Sequence, residues 1–173
     1  HGYVGNPDAV TRVHAAHPNV DQHWTEGGPD YTDPKYATNW TTWSDTFTGI
    51  LRNRCRSITA WNLALDEKGR PNIGPFPCGG VVTINSKTKD ITYSGQYWAL
   101  AHFSRFIRPG SIIVASESKQ SEIKHVAART PDGKIVLVLT NKGAAREVTI
   151  RLGAQTALVA LPSDSVSTLS WKG

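Results

Sequence analysis

The sequence predicts an α/β segment followed by an all-β domain, with the change near Pro109. Before Pro109, apolar stretches rich in β-branched residues alternate with amphipathic stretches of helical period, which favours parallel strands connected by helices. After Pro109, short apolar strands follow one another with turn signals roughly every 8 to 12 residues, which is typical of an antiparallel β-sandwich. The two halves of the chain therefore belong to different structural classes.

The first segment opens with helices and strands in alternation. Pro7 begins a helical pattern that ends before Pro18. Residues 20–26 are predicted to form a strand, because their alternate side chains would share one face. Residues 40–54 have the apolar spacing of an amphipathic helix, and the apolar run 57–65 is predicted to be one buried strand.

A long loop, a hairpin and a helix complete the first segment. Residues 66–80 contain three prolines and four glycines, and a structured loop of this length is usually functional. Residues 81–85 and 90–93 are predicted to pair as a short hairpin. Residues 95–107 form an amphipathic pattern that ends before Pro109, so a last helix is expected there.

The second segment is predicted to be a β-sandwich. Its strands are "SIIVASES", "IKHVAART", "KIVLVLTN", "REVTIRL", "TALVALP" and "VSTLSW". Pro131-Asp132-Gly133 is a hairpin turn between the second and the third of these strands. We therefore divide the chain into residues 1–108 and residues 109–173.

Composition and charge argue against several classes of function. The net charge is +5, but the Lys and Arg residues are scattered without aromatic residues between them, so no nucleic-acid surface is predicted. No apolar run reaches about 18 residues, so no membrane span is predicted. Cys55 and Cys78 make no metal site, no His, Asp and Glu cluster has metal spacing, and we expect neither a metal nor a cofactor. Whether the two cysteines bond is left open.

Polar and aromatic residues follow the two predicted parallel strands. Glu26 ends the first strand, Trp61 lies near the end of the second, and Asn72 lies in the loop beyond it. Ligand sites of α/β folds lie at the carboxyl ends of strands. An indole that stacks on a sugar, amides that bind hydroxyls and a carboxylate for acid–base or nucleophilic work would together form a sugar site. The alternative is that Glu26 is an ordinary surface residue and Trp61 belongs to the core.

Three stretches resemble glycoside hydrolase family 30, the glucosylceramidase family: "HWTEGG", "SITAWNLALDEKGRPNIGPFPCGGVVTIN" and "YWALAHFSRFIRPGS". The resemblance covers essentially the whole chain. It implies that residues 1–108 are the C-terminal remnant of a (β/α)8 barrel, comprising strands 7 and 8, and that residues 109–173 are the accessory β-sandwich. It also implies hydrolysis of β-glycosidic bonds with retention of configuration.

The resemblance implies roles for particular residues. Glu26 corresponds to the catalytic nucleophile at the end of the seventh strand. Trp61 corresponds to a tryptophan that borders the sugar, and Asn72 to an asparagine that contacts sugar hydroxyls. His1 and Tyr3 correspond to the end of the sixth strand, where the tyrosine reaches the nucleophile. The implied ligand is a carbohydrate or glycoside.

The chain departs from the family at the proton donor. The family's acid/base glutamate lies in an Asn-Glu pair on the fourth strand, and this sequence contains no Asn-Glu pair. Asp30, Asp33 and Asp66 lie on predicted loops, and nothing in their pattern marks one as the donor. A retaining glycosidase needs two carboxyl groups about 5 Å apart, so we expect the nucleophile half of an active site.

Two functions remain open from the sequence alone. The first is the C-terminal part of a secreted or extracellular retaining β-glycosidase, with periplasmic and lysosome-like settings also compatible. The second is a non-catalytic truncated relative that binds carbohydrate or a protein partner. Two parallel strands cannot close a barrel, and an open strand edge pairs readily. We therefore expect a second chain or self-association to cover that edge.

Overall fold

The computed structural model describes residue 1 and residues 6–172, so Tyr3 lies outside the described residues. The described residues are mostly β, with few helices. The chain divides into two units, His1–Ala101 and His102–Gly173.

The first unit begins with a helix and two parallel strands. The elements are α1 (Asp8–Ala16), β1 (Gln22–Trp24), α2 (Trp40–Arg52) and β2 (Cys55–Ile58). β1 and β2 pair in parallel, with Trp24 opposite Ile58. The predicted parallel pairing is therefore confirmed. The buried residues of α2 recur at helical spacing, so they form one face of the helix. They are Thr41, Ser44, Phe47, Thr48 and Ile50.

Both strand predictions in this unit are wrong in extent. The strand predicted for residues 20–26 ends at Trp24, so Glu26 lies two residues beyond β1. The single strand predicted for residues 57–65 is two strands in different sheets, β2 and β3 (Ala64–Leu65). Backbone hydrogen bonds explain the split: the Trp61 N–H still donates to the β1 side, at Gly27, whereas the Leu63 carbonyl accepts from Val82.

The rest of the first unit is a small sheet and a helix. β3 pairs in parallel with β4 (Val82–Ile84), and β4 pairs antiparallel with β5 (Ile91–Tyr93). The predicted hairpin is therefore confirmed. α3 covers Gly95–Ser104. Cys55 and Cys78 are free thiols, and burial raises the pKa of Cys55.

The second unit consists of two antiparallel sheets. Its strands are β6 (Ile112–Val114), β7 (Ile123–Arg129), β8 (Lys134–Asn141), β9 (Arg146–Leu152), β10 (Gln155–Leu161) and β11 (Ser165–Lys172). The larger sheet has the order β11-β8-β7-β6, and β9 pairs with β10 in the smaller one. Side chains of both sheets form one apolar core, which contains Ile123, Ala127, Leu137, Leu139, Val148 and Leu161. The predicted β-sandwich is confirmed.

The β7–β8 hairpin contains a carboxylate whose pKa is lowered by its neighbours. Asp132 accepts a hydrogen bond from Thr130 Oγ1 at 2.5 Å and pairs with Lys134 Nζ at 2.7 Å. The Lys134 ammonium and the Thr130 hydroxyl lower the pKa of Asp132 from 3.8 to about 2. A depressed carboxyl pKa stabilises the folded state above the unfolded pKa, and this contribution is lost as the pH falls through the folded pKa.

We expect the urea midpoint of the wild-type chain to fall more steeply between about pH 4 and pH 2 than that of the Asp132→Asn variant. The difference should be small and should shrink at high salt, because the pair is exposed. Urea titrations at several pH values, with and without added salt, measure both effects. Identical pH dependence of the two midpoints would contradict the prediction.

Candidate functional site

The residues that follow β1 pass close to an indole ring. We call residues 26–29 the glycine segment. A Cβ atom added at Gly27 would lie 2.2 Å from the Cη2 atom of Trp24, and the Trp24 side chain is almost fully buried. Only glycine therefore allows the backbone to lie this close to the ring.

Two hydrogen bonds from other parts of the unit hold the glycine segment. The Gly27 carbonyl accepts from the Trp61 N–H at 3.2 Å and from Gln96 Nε2 at 3.0 Å. Trp61 belongs to the segment after β2, and Gln96 is the second residue of α3. The backbone directly after Glu26 is therefore tied to two separate elements of the unit.

Glu26 is partly exposed and contacts His1. Its side chain is 27% exposed, and Oε2 contacts His1 Nδ1. The structure therefore brings together two of the predicted site residues. An imidazole beside a carboxylate can donate a hydrogen bond to it and fix its orientation.

Trp61 lies beside the glycine segment and is accessible to solvent. A Cβ atom added at Gly28 would lie 3.7 Å from Trp61 Cβ. The Trp61 residue is 38% exposed, so it is not part of the core. An accessible indole beside the glycine segment provides an apolar surface that could contact the face of a ligand.

Asn72 is engaged within its own loop. Its Nδ2 donates to the Phe76 carbonyl at 3.1 Å and to the Gly74 carbonyl at 3.4 Å, and its Oδ1 accepts from the Gly74 N–H at 3.4 Å. Among residue 1 and residues 6–172, Asn72 makes no hydrogen bond to Glu26 or Trp61. The structure thus gives the Asn72 amide a role in shaping the loop.

A buried tyrosine that the sequence analysis missed holds the backbone next to a hydrogen bond of the glycine segment. The Gly79 N–H donates to the Pro29 carbonyl at 2.6 Å. The Tyr36 hydroxyl donates to the Gly80 carbonyl at 2.7 Å and accepts from Thr83 Oγ1 at 2.8 Å. Burial raises the pKa of Tyr36, so the phenol stays neutral and able to donate at physiological pH.

The nearby aspartates shape their own loops. Asp30 Oδ1 accepts from the backbone N–H and the hydroxyl of Thr32 at 2.7 and 2.6 Å. Asp33 Oδ1 accepts from the N–H of residue 35 at 2.8 Å. Asp66 Oδ1 accepts from the N–H groups of residues 68 and 70 at 2.9 and 2.7 Å. All three carboxylates thus act as loop caps.

Across the described residues, no group of three or more His, Cys, Asp or Glu side chains is placed to hold a metal ion. The helices described for this chain are each too short or too polar to cross a lipid bilayer.

Comparison with known proteins relates the chain to one family. Residues 110–169 match the family model described as the glycosyl hydrolase family 30 beta sandwich domain. An endo-1,6-beta-D-glucanase of Neurospora crassa is 32% identical over an alignment of 155 residues that covers 82% of this chain and 32% of that protein. Putative glucosylceramidase 1 of Caenorhabditis elegans is 31% identical over an alignment of 144 residues that covers 78% of this chain and 27% of that protein.

A solved structure supports the same relationship. An endo-beta1,6-glucanase structure superposes on 99% of this chain and 40% of its own chain, with a TM-score of 0.88 and 27% sequence identity. The present chain therefore spans about a third of the length of the curated relatives that it matches.

Proposed function

We propose a function from one premise: this chain carries the glycoside hydrolase family 30 β-sandwich domain and resembles the C-terminal portion of family 30 proteins. The function is that of the C-terminal part of a retaining β-glycosidase, with Glu26 as its nucleophile. Residues 1–108 are the part of a (β/α)8 barrel that contains strands 7 and 8, and residues 109–173 are the accessory sandwich. Because the relatives carry names of β-glucan and glucosylceramide hydrolysis, a β-glucoside is the substrate class that we propose.

The observation that carries this proposal is the position of Glu26. It follows the carboxyl end of β1, which pairs in parallel with β2, and this end of a parallel sheet is where α/β folds place their chemistry. The carboxylate is accessible, whereas the backbone after it is held by Trp61 and Gln96. A partly exposed side chain on a fixed backbone is suited to attack a bound substrate.

In the proposed reaction a Glu26 oxygen attacks the anomeric carbon as the bond to the leaving oxygen breaks. A glycosyl-enzyme ester forms, and water later hydrolyses it to release the sugar with retained configuration. Trp61 stacks on the sugar, His1 and Tyr3 orient the carboxylate, and Asn72 contacts sugar hydroxyls. The leaving oxygen needs a proton, and the sequence contains no Asn-Glu pair like that of the family's acid/base residue, so we assign the acid/base half to a second chain or another part of the protein.

The second candidate is a non-catalytic module that binds carbohydrate or a partner. It is favoured by the local hydrogen bonds of Asn72 and of the three aspartates, which engage these side chains within their own loops. Under either function the open barrel edge is covered by a second chain or by self-association, and the setting is secreted or extracellular. Light scattering that gives the mass of a monomer would contradict self-association.

Covalent labelling tests the proposed nucleophile directly. A 2-fluoro β-glucoside with a dinitrophenolate leaving group requires no proton donor, so it tests Glu26 without the acid/base half. We expect the intact mass to rise by one fluoroglucosyl group and peptide mapping to place it on Glu26. The Glu26→Gln variant should form no adduct, and Asp30→Asn should label like the wild type. A folded wild-type chain that stays unlabelled, or that labels elsewhere, would exclude Glu26 as the nucleophile.

A further inference from the structure

We infer that Gln96 is a positioning residue for Glu26: its side-chain amide fixes the Gly27 carbonyl and thereby orients the carboxylate for attack. This inference rests on the proposed role of Glu26 as the nucleophile. It assigns a function to a residue on α3 that is 69 positions along the chain from Gly27 and is fully buried, away from the surface that a substrate reaches.

The argument begins with the freedom of the backbone at this point. Glu26 is followed by Gly27 and Gly28, and glycine has more accessible backbone conformations than any other residue. β1 ends at Trp24, so no strand pairing defined by its ladder extends to Glu26. The direction of the Gly27 peptide must therefore be set by individual hydrogen bonds.

Two donors set that direction, and only one of them is a side chain. The Trp61 N–H donates to the Gly27 carbonyl at 3.2 Å, and Gln96 Nε2 donates to the same oxygen at 3.0 Å. The backbone donor is present whatever residue occupies position 61. The hydrogen bond from the side chain is the shorter of the two and depends on a glutamine at position 96. It is therefore the contact that a substitution can remove selectively.

Packing alone does not account for an amide at this position. Gln96 is fully buried, and its Oε1 is a buried acceptor without a hydrogen-bond partner among the described residues. Burying an unpaired polar atom is unfavourable, and an apolar side chain of similar length would fill the space without that penalty. The distinguishing contribution of the amide is therefore the hydrogen bond that it donates to Gly27.

The expected consequence of losing this bond is a less well-oriented nucleophile. Displacing a reacting group by about 1 Å can slow a reaction about 100-fold. We expect Gln96→Met, which keeps the length of the side chain and removes the donor, to slow labelling of Glu26 about 10- to 100-fold. Because Gln96 does not contact the sugar, the reagent concentration for half-maximal rate should change little.

The test uses the full chain and two independent measurements. The first is the labelling rate with the 2-fluoro β-glucoside. The second is amide hydrogen exchange of the Trp61 N–H by NMR, which we expect to become about tenfold faster in Gln96→Met as the shared carbonyl loosens. Gln155→Met, the same chemical change at an exposed position of β10, is the matched control and should alter neither quantity.

A second variant separates positioning from packing. In Gln96→Glu the introduced carboxyl can donate to the Gly27 carbonyl only when it is protonated. At pH values where circular dichroism shows both chains folded, the labelling rate of this variant relative to the wild type should therefore rise as the pH falls. Folding is monitored because an ionised carboxylate buried at this position also destabilises the chain. This ratio decides the matter if Gln96→Met does not fold.

The outcomes distinguish this inference from the proposed function. A wild-type chain that labels on Glu26, together with a Gln96→Met variant that labels equally fast or exchanges equally slowly at Trp61, overturns the inference and leaves the nucleophile in place. A Gln96→Glu ratio that does not vary with pH also overturns it. A folded wild-type chain without an adduct overturns the proposed function, and the inference with it.

Discussion

Replacing Gly27 with alanine is expected to destabilise the first unit by about 3 kcal/mol and to prevent labelling of Glu26. The added methyl group would lie 2.2 Å from Cη2 of Trp24 and 2.4 Å from its Cζ2. The ring cannot move away easily, because it is buried and packs edge-on against Phe47 with centroids 6.0 Å apart. The glycine segment must move instead, and this movement disturbs its hydrogen bonds to Trp61 and Gln96.

The neighbouring glycine provides a matched control. A Cβ atom at Gly28 would meet the Gly79 carbonyl oxygen at 3.5 Å and Trp61 Cβ at 3.7 Å, which are ordinary van der Waals contacts. Gly28 also lacks the positive φ that would strain an alanine. We therefore expect Gly28→Ala to change the free energy of unfolding by less than about 1 kcal/mol, with a stabilising contribution from the unfolded chain. If chemical denaturation gave the two variants equal losses of unfolding free energy, the geometry of the glycine segment would be contradicted.

The sequence predicted those features that depend on local periodicity. The strands of the sandwich follow from alternation and turn chemistry, and the bounds of β8 (Lys134–Asn141) are those read from the pattern "KIVLVLTN". The apolar run 57–65 was misread because periodicity does not show which neighbour a backbone bonds. Its partner changes from the β1 side at Trp61 to Val82 at Leu63, and such a change depends on tertiary contacts.

The candidate site divides in the same way. Glu26 and His1 were named from the resemblance, and the structure places them in contact. Tyr36 and Gln96 were missed, because each acts on a carbonyl more than 40 positions away. No local pattern distinguishes a glutamine in the first turn of α3 that binds Gly27 from one that faces water. Asn72 was named, yet its amide bonds within its own loop, which a sequence motif cannot show.

Replacing Phe47 with alanine is expected to have the largest effect on stability, a loss of about 3 to 5 kcal/mol. Phe47 is fully buried on α2 and packs against both Trp24 and Trp43, with ring centroids 6.0 and 5.9 Å apart. Removing the Phe47 ring leaves a cavity beside the Trp24 indole, which supports the glycine segment. Amide exchange in β1 and β2 should accelerate strongly, and the amides of β7 and β8 in the other unit provide an internal reference.

A conservative variant and a double variant make this prediction specific. Phe47→Leu keeps most of the apolar volume and should lose less than about 1.5 kcal/mol. The cavity left by Phe47→Ala should also let the Trp24 ring yield to a methyl group at Gly27. The double variant Gly27→Ala, Phe47→Ala is therefore expected to lose less stability than the sum of the two single changes, by about 1 kcal/mol or more. Strict additivity would show that the two sides of the Trp24 ring, facing Gly27 and Phe47, are not coupled. The clash at Gly27 would then have to be relieved by the glycine segment alone.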